Sequence, residues 1–202
     1  MTFDTFWIER GYTGREALAV LDRAHALGYG YEWSVNPNWS RSIPIGSVEF
    51  CESFLERKPI PDFYPDWLES WFHRTIYCGV DHFQFCDRGD WFVKSAESYK
   101  QFPARIWNDG ENPLEGLVDI SAPVKFTQEW RCYVADGCVL TTGWYDGDNE
   151  DEPAPDLNID WPKGFCGAVD FGRLDNGKIA LVESHHPYAC GHYSGDHDAR
   201  AN

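Results

Sequence analysis

Residues 167–185 read GAVDFGRLDNGKIALVESH, two apolar and β-branched runs on either side of Asn176-Gly177. Asn-Gly between such runs is a strong hairpin signal, because both central residues of a type I′ turn need a positive φ. A two-residue turn at this dipeptide places Asp170 directly opposite Glu183 on one face, with His185 further along the same face. The stretch therefore predicts an antiparallel sheet that carries a group of polar side chains.

The two facing acids, Asp170 and Glu183, suggest a metal site. Like charges directly opposite each other are destabilising unless something compensates them. A divalent cation such as Mg²⁺, which prefers carboxylate oxygens, would do so. Without the metal, an Asp170→Asn variant is then expected to be slightly more stable. The alternatives are a three-residue turn, which would stagger the pair, and an exposed edge at which both acids are solvated.

A second hairpin is predicted immediately upstream, at Asp136-Gly137. The dipeptide separates the runs 130–134 and 138–142, and Asp-Gly is a strong signal for the same turn type. A two-residue turn here makes Arg131 face Thr142. The other residues expected on that face are Glu129, Tyr133, Leu140 and Trp144. Arg131 is either an ion-paired surface residue or a bidentate phosphate ligand.

The sequence around these hairpins adds a loop, two strands and a His-rich tail. Residues 146–160 contain seven acidic residues and no basic ones, which predicts a solvated, mobile loop. The runs 91–94 and 117–121 predict strands, and the first of them ends in Lys94. Four of the seven His lie within 185–197, around Cys190, and this is either a structural zinc site or a polar loop.

The N-terminal part is predicted to combine a helix with a small sheet. Thr13 and Glu16 have capping-box spacing, and apolar residues then follow a helical stripe as far as Gly28. A second, short helix is expected at residues 67–72. Helical segments followed by a strand-rich remainder indicate the α+β class.

Composition excludes several classes of protein. The 202 residues include 17 Lys and Arg against 33 Asp and Glu, a net charge of −16 that disfavours binding to nucleic acid polymers. No apolar run is long enough to span a membrane, and the first residues do not resemble a signal peptide. Seven Cys without a C-x-x-C pair suit a reducing compartment. We expect a soluble cytoplasmic protein.

Three segments together resemble an ATP-grasp domain: residues 92–94, 129–137 and 169–185. The likeness is to the small clade, found in phages and bacteria, that is named for two arginines and a lysine. It implies an ATP-grasp fold, in which two sheet-bearing lobes surround the nucleotide, with a small α/β part before it. We expect the N-terminal part to be residues 1–89 and the ATP-grasp core to be residues 90–202.

The resemblance also implies roles for individual residues. Lys94 and Arg131 would contact the ATP phosphates and act in catalysis. The residues implied in ATP binding are Lys94, Asp119, Ile120, Ser121, Glu129 and Arg131, with the backbone of 119–121 reading adenine. Those implied in Mg²⁺ binding are Asp170, Glu183 and His185, where the family usually has Asn at the third position. Arg74 and Arg105 are the candidates for the second arginine.

The resemblance implies an ATP- and Mg²⁺-dependent ligase that joins a carboxylate to an amine or a related nucleophile. The carboxylate would form an acyl phosphate, with release of ADP and phosphate. Both substrates would be small molecules or peptides, and neither a nucleic acid nor a membrane is expected as a partner. One alternative is a non-catalytic relic that binds nucleotide or a partner protein. The other is a zinc-dependent hydrolase that uses the His-rich tail.

Overall fold

A computed structural model of the chain describes residues 5–11, 15–32, 42–53, 61–83, 89–97, 100–108, 111 and 114–187. In these ranges the strands are β1 (Thr5–Ile8), β2 (Gly30–Glu32), β3 (Ser42–Ile45), β4 (Ile76–Phe83), β5 (Trp91–Ser95), β6 (Arg105–Trp107), β7 (Leu114–Ser121), β8 (Phe126–Ala135), β9 (Cys138–Gly147), β10 (Gly167–Leu174) and β11 (Ile179–His185). The helices are α1 (Arg15–Leu27), α2 (Val48–Glu52) and a 3₁₀ helix (Asp66–Trp71). None of these described helices has the length and apolar character needed to cross a membrane.

The N-terminal strands form a parallel sheet in the order β2-β1-β3, and α1 connects β1 to β2. Helix α1 ends where predicted, before Gly28, whose φ of 73° suits the position after a helix. Ala24 is fully buried, whereas Leu18 and Leu27 are exposed, so the buried face is narrower than the apolar stripe. The predicted capping residue Thr13 lies outside the described residues.

The second sheet is antiparallel and has the order β4-β7-β5-β6. One face carries a small apolar core of Val93, Trp107, Val118 and Ile120. Because neighbouring residues of a strand point to opposite faces, Lys94 projects from the other side of β5. Strand β4 precedes residue 90 but pairs within the same sheet as β5. The division into residues 1–89 and 90–202 remains a prediction.

The third sheet is antiparallel in the order β11-β10-β8-β9 and contains both predicted hairpins. Its apolar face carries the larger core, and the 3₁₀ helix packs there, where a short helix is predicted. The buried residues of this core are Phe63, Tyr64, Leu68, Cys132, Val134, Val169, Phe171 and Leu181. The opposite face of the sheet carries the polar residues.

The 167–185 hairpin reaches its predicted pairing by an unexpected route. The backbone N–H of Leu174 donates to the carbonyl of Lys178 at 2.8 Å, so the turn has three residues and the two-residue prediction is wrong. A longer turn alone would move Glu183 out of register with Asp170. A β-bulge adds Val182 to β11 and restores the register. The prediction that Asp170 lies opposite Glu183 is therefore confirmed.

The second hairpin has its predicted turn but a different register. Asp136 and Gly137 have φ values of 49° and 73°, as a type I′ turn requires, and β8 and β9 pair directly beside them. Register shifts then place Arg131 opposite Gly143 rather than Thr142. They also place Trp144 opposite Trp130, so the prediction that Trp144 shares a face with Arg131 is wrong.

The acidic segment between β9 and β10 is solvated, as predicted, and it also packs against the sheet. Its carboxylates are mostly exposed. Leu157, Ile159 and Trp161 pack against the larger core, and Glu152 forms an ion pair with Arg173 of β10. Apolar residues interspersed among the acids therefore pack the segment against the sheet, and its mobility stays a prediction.

Candidate functional site

A cavity of about 300 Å³ is lined by residues of both four-stranded sheets. This volume is at the lower end of the range for small-molecule sites. Its walls are mainly aromatic and aliphatic, with a few charged side chains. The lining residues include Phe63, Tyr64, Arg74, Phe92, Lys94, Lys100, Ser121, Phe126, Glu129, Tyr145, Val182 and Glu183.

Lys94 enters this cavity from β5 and is almost completely buried. Its ammonium group lies 4.3 Å from the centre of the Phe63 ring and 5.0 Å from that of Tyr64, and it forms an ion pair with Glu183. Burial opposes the charge, but Tyr64 and Glu183 outweigh it and raise the pKa of Lys94. The lysine is therefore a fixed positive charge at the cavity wall.

Arg131 and Asp170 lie directly opposite each other on β8 and β10 and form a buried bidentate pair. Nε donates to Oδ1 at 2.7 Å and Nη2 donates to Oδ2 at 2.6 Å. The guanidinium carbon lies 4.7 Å from the centre of the Tyr145 ring. Burial opposes the charge of Arg131, but the hydrogen bonds to Asp170 and the charge of this carboxylate outweigh burial. The pKa of Arg131 is therefore raised.

The pairing of Asp170 changes one expectation about stability. Asp170 and Glu183 do not face each other as uncompensated anions, because Arg131 and Lys94 each bind one of them. Removing the carboxylate of Asp170 leaves a buried guanidinium without its anion, which is costly. We therefore expect an Asp170→Asn variant to lose stability without metal, because the two acids are not uncompensated like charges in this arrangement.

His185 completes a compact group of potential metal ligands. Its Nε2 lies 2.8 Å from Oε1 of Glu183 and 3.6 Å from Oδ2 of Asp170. The three ligand atoms lie within 4.8 Å of one another, the only such group found among the described residues. Burial opposes ionisation of Glu183, but His185 and Lys94 hold the pKa of this carboxyl well below its usual range. The two carboxylates fit Mg²⁺, and the imidazole fits it less well.

The bulge at Val182 explains how Glu183 comes to face this group. Leu181 is fully buried in the larger core, opposite Phe171, whereas Val182 and Glu183 both line the cavity. In a regular strand, Leu181 and Glu183 would share one face. The extra residue therefore turns the carboxylate from the core side to the cavity side.

Glu129 lies on β8 two residues before Arg131 and lines the same cavity. Burial, followed by the charges of Asp146, Asp170 and Glu183, raises the pKa of Glu129 to about 7. Its protonation state therefore changes near neutral pH.

The predicted adenine-reading residues are distributed differently. Ser121 lines the cavity, whereas the side chain of Ile120 lies in the smaller core. Asp119 accepts a hydrogen bond from the backbone N–H of Gly79 at 2.8 Å. Strand β7 pairs with β4 on one side and β5 on the other at these positions. The role of the 119–121 backbone in reading adenine stays a prediction.

The two candidates for the second arginine occupy different environments. Arg74 lines the cavity, and its guanidinium donates to the carbonyls of Phe72 and Val182, each at 3.2 Å. Arg105 is partly exposed and forms a 2.6 Å ion pair with Glu111. The geometry favours Arg74. Of the predicted zinc residues, Cys190, His192 and His197 lie outside the described residues.

A sequence model of an ATP-grasp domain family, the second family of the clade named for two arginines and a lysine, matches residues 74–202. The match covers more than half of the chain and includes both hairpins, the group around Asp170 and all of the described cavity lining except Phe63 and Tyr64. The chain belongs to this family. ATP-grasp enzymes as a whole generally use ATP and Mg²⁺ and are generally ligases. No curated protein matched the sequence.

Several residues of this candidate site are absent from the sequence-based predictions. Phe63 and Tyr64 precede the family match, and Lys100 and Tyr145 have no motif around them. The only sequence signal for Phe63 and Tyr64 was the aromatic content near the Pro-rich segment before the 3₁₀ helix. Aromatic content does not distinguish a residue that lines a cavity from a residue of the hydrophobic core. The Arg131–Asp170 pair was also missed, because strand order cannot be read from two separate hairpins.

Proposed function

We propose that this ATP-grasp protein is an ATP- and Mg²⁺-dependent ligase that joins a carboxylate to an amine or a related nucleophile. The observation that supports the proposal is the meeting of two cations, Lys94 and Arg131, with two acids and an imidazole beside one cavity. Phosphoryl transfer depends on positioning and charge stabilisation more than on a protein nucleophile. These side chains are suited to that task.

In the proposed reaction a carboxylate oxygen of the substrate attacks the γ-phosphorus of ATP. The bond from this phosphorus to the bridging oxygen breaks, and ADP leaves. The amine then attacks the carbonyl carbon of the acyl phosphate, loses a proton to solvent and displaces inorganic phosphate. Lys94 and Arg131 would stabilise the negative charge of the transferred group. When bound, Mg²⁺ supplies further positive charge at the terminal phosphates.

The ion pairs of the structure support a proposal for how nucleotide and metal would be accommodated together. Lys94 and Arg131 neutralise the same carboxylates that would hold the metal. Binding of a metal ion by Asp170 and Glu183 would free both cations for the phosphates. No buried charge is left without a partner in either arrangement, which limits the cost of the exchange.

The acidic surface favours a neutral or cationic amine over an anionic one. The chain carries a net charge of −16, which raises the local concentration of cations and lowers that of anions. We therefore propose that the second substrate is an amine, polyamine or basic peptide.

The direct test combines the protein with ATP, Mg²⁺ and a panel of carboxylates, amino acids, polyamines and peptides. Product analysis is expected to show ADP, phosphate and a condensed product that requires both substrates. AMP and pyrophosphate as products would refute the acyl-phosphate route. Tight ATP binding without phosphate release for any pair would instead support the non-catalytic relic.

Lys94 provides the sharpest variant for this test. Removing its ammonium in Lys94→Ala is expected to weaken ATP binding by about tenfold or more, roughly 1.4 kcal/mol, because a buried charge aimed into the cavity is lost. The control is Lys178→Ala, which changes an exposed lysine next to the β10–β11 turn. Calorimetry that finds native affinity in a folded Lys94→Ala protein would exclude Lys94 from the nucleotide site.

A further inference from the structure

The donor set of the metal-ligand group differs from the one that Mg²⁺ prefers. Mg²⁺ is usually held by one or two carboxylates together with waters and phosphate oxygens. Here an imidazole nitrogen lies 2.8 Å from Oε1 of Glu183 and 3.6 Å from Oδ2 of Asp170. Neighbouring ligand atoms about 3 Å apart are expected around an octahedral ion with bonds of about 2.1 Å. The two spacings that involve the imidazole are close to this value, and all three ligand atoms lie within 4.8 Å of one another, so small side-chain shifts would bring all three into contact with one ion.

The imidazole is held in place by the protein around it. The ring of His185 packs edge-on against Phe63, with 6.0 Å between the ring centres. The backbone N–H of the preceding residue, Ser184, donates to the carbonyl of Phe63 at 2.9 Å. The strand and the aromatic ring thus both orient Nε2 towards the two carboxylates. A side chain fixed in this way can act as a ligand at small entropic cost.

Nitrogen ligands favour first-row transition ions over Mg²⁺. Among these ions Mn²⁺ keeps the preference for carboxylates, waters and phosphates that the rest of the site offers. We propose that His185 ligates the bound metal through Nε2 and makes this site select Mn²⁺ over Mg²⁺. The inference rests on the proposed function, because it concerns the metal that accompanies the nucleotide.

The test measures metal binding and not turnover. The full-length protein is loaded with Mn²⁺ and a non-hydrolysable ATP analogue, and electron spin-echo modulation detects nitrogen bound to the manganese. We expect an imidazole ¹⁴N pattern in the native protein, its replacement by a ¹⁵N pattern when histidine is ¹⁵N-labelled, and its loss in His185→Asn. Calorimetry is expected to show that the native protein binds Mn²⁺ at least about tenfold more tightly than Mg²⁺. The ratio of the Mg²⁺ to the Mn²⁺ dissociation constant is expected to be about tenfold smaller in His185→Asn.

A His25→Asn variant, which changes an exposed histidine of α1, is the matched control and should retain the nitrogen signal. Manganese bound at Asp170 and Glu183 without a histidine nitrogen signal, or an unchanged metal ratio in His185→Asn, would overturn the inference and leave the proposed ligase intact. No divalent ion bound with the ATP analogue, or binding unaffected in both Asp170→Asn and Glu183→Gln, would overturn the proposed function as well.

Discussion

Asp170 is the residue whose environment differs most from the simple picture of a metal ligand. It is completely buried, and both of its carboxylate oxygens accept hydrogen bonds from Arg131. The site is therefore stable in the absence of a metal only because it holds its own cations. This property connects function to stability, since residues expected to bind ligands also hold two central strands together.

Replacing Asp170 by Asn should destabilise the metal-free protein by about 3–5 kcal/mol, because the buried Arg131 loses its counter-ion. Urea unfolding without metal measures the change. Glu111→Gln, which breaks the partly exposed pair with Arg105, should have little effect and serves as the control. Equal or greater stability of Asp170→Asn would contradict the importance of the buried pair.

Glu129 should make folding stability depend on pH near neutrality. Its pKa rises from 4.5 in an ordinary environment to about 7 in the fold, so the folded state binds the proton more tightly. The preferential protonation of Glu129 in the folded state therefore makes its full contribution to the free energy of unfolding below about pH 4.5. This contribution is lost as the pH rises through 7.

A Glu129→Gln variant lacks this titration. Its stability relative to the native protein should increase between pH 5 and 8, by on the order of 2 kcal/mol. Unfolding curves across this range measure the difference, and Glu115→Gln, at an exposed position of β7, is the control. If the free energies of unfolding of the native protein and Glu129→Gln differ by the same amount at every pH, the raised pKa of Glu129 is contradicted.

At the scale of the elements, the positions of both hairpins were predictable, whereas the length of one turn and the register of the other hairpin were not. Asp136-Gly137 and Asn176-Gly177 identified the hairpins because Asp136, Gly137 and Gly177 take the positive φ values that such turns require locally. The bulges depend on how β11 and β9 fit against the core and the cavity, which is not encoded locally. The pairing of β10 with β8, which brings Arg131 to Asp170, is a long-range contact for the same reason.

The two ends of the β10–β11 hairpin should respond differently to added side-chain atoms. A Cβ at Gly177 would meet open space, so Gly177→Ala costs only the strain of its φ of 83°, about 1 kcal/mol. A Cβ at Gly167 would collide with the carbonyl oxygen of His185 and displace the end of β11. We therefore expect Gly167→Ala, but not Gly177→Ala, to weaken Mn²⁺ binding in calorimetry. Equal effects of the two variants on metal binding would contradict a role for this strand end in placing His185.

At the scale of the whole molecule, the charge of the exterior opposes that of the cavity. The net charge is −16, whereas, in the part of the chain that the structure describes, the three cations that line the cavity, Arg74, Lys94 and Lys100, outnumber its two acids, Glu129 and Glu183. An approaching nucleotide therefore meets long-range repulsion before it meets local attraction. Salt screens the long-range repulsion more than the local attraction, because screening increases with distance and Lys94 is buried away from solvent ions.

The association rate constant of MgATP should accordingly rise as ionic strength increases from roughly 0.02 to 0.3 M. Stopped-flow mixing with a fluorescent ATP analogue would measure the rate. The matching adenosine analogue, which carries no charge, should show no such dependence. A rate constant that falls with salt would indicate that the cavity cations dominate the approach.

The three-residue turn and the bulge at Val182 also bear on comparison with relatives. Together they leave the number of residues from Asp170 to Glu183 the same as in a regular hairpin with a two-residue turn. Two homologous chains can therefore have the same number of residues between these two acids and yet differ in structure. The β11 side chains just before the glutamate would then point to opposite faces of the sheet in the two chains. A gapless alignment would then equate Leu181, a core residue here, with a nucleotide-facing residue elsewhere. Substitution patterns between the two acids become informative only after each homologue's turn length is known.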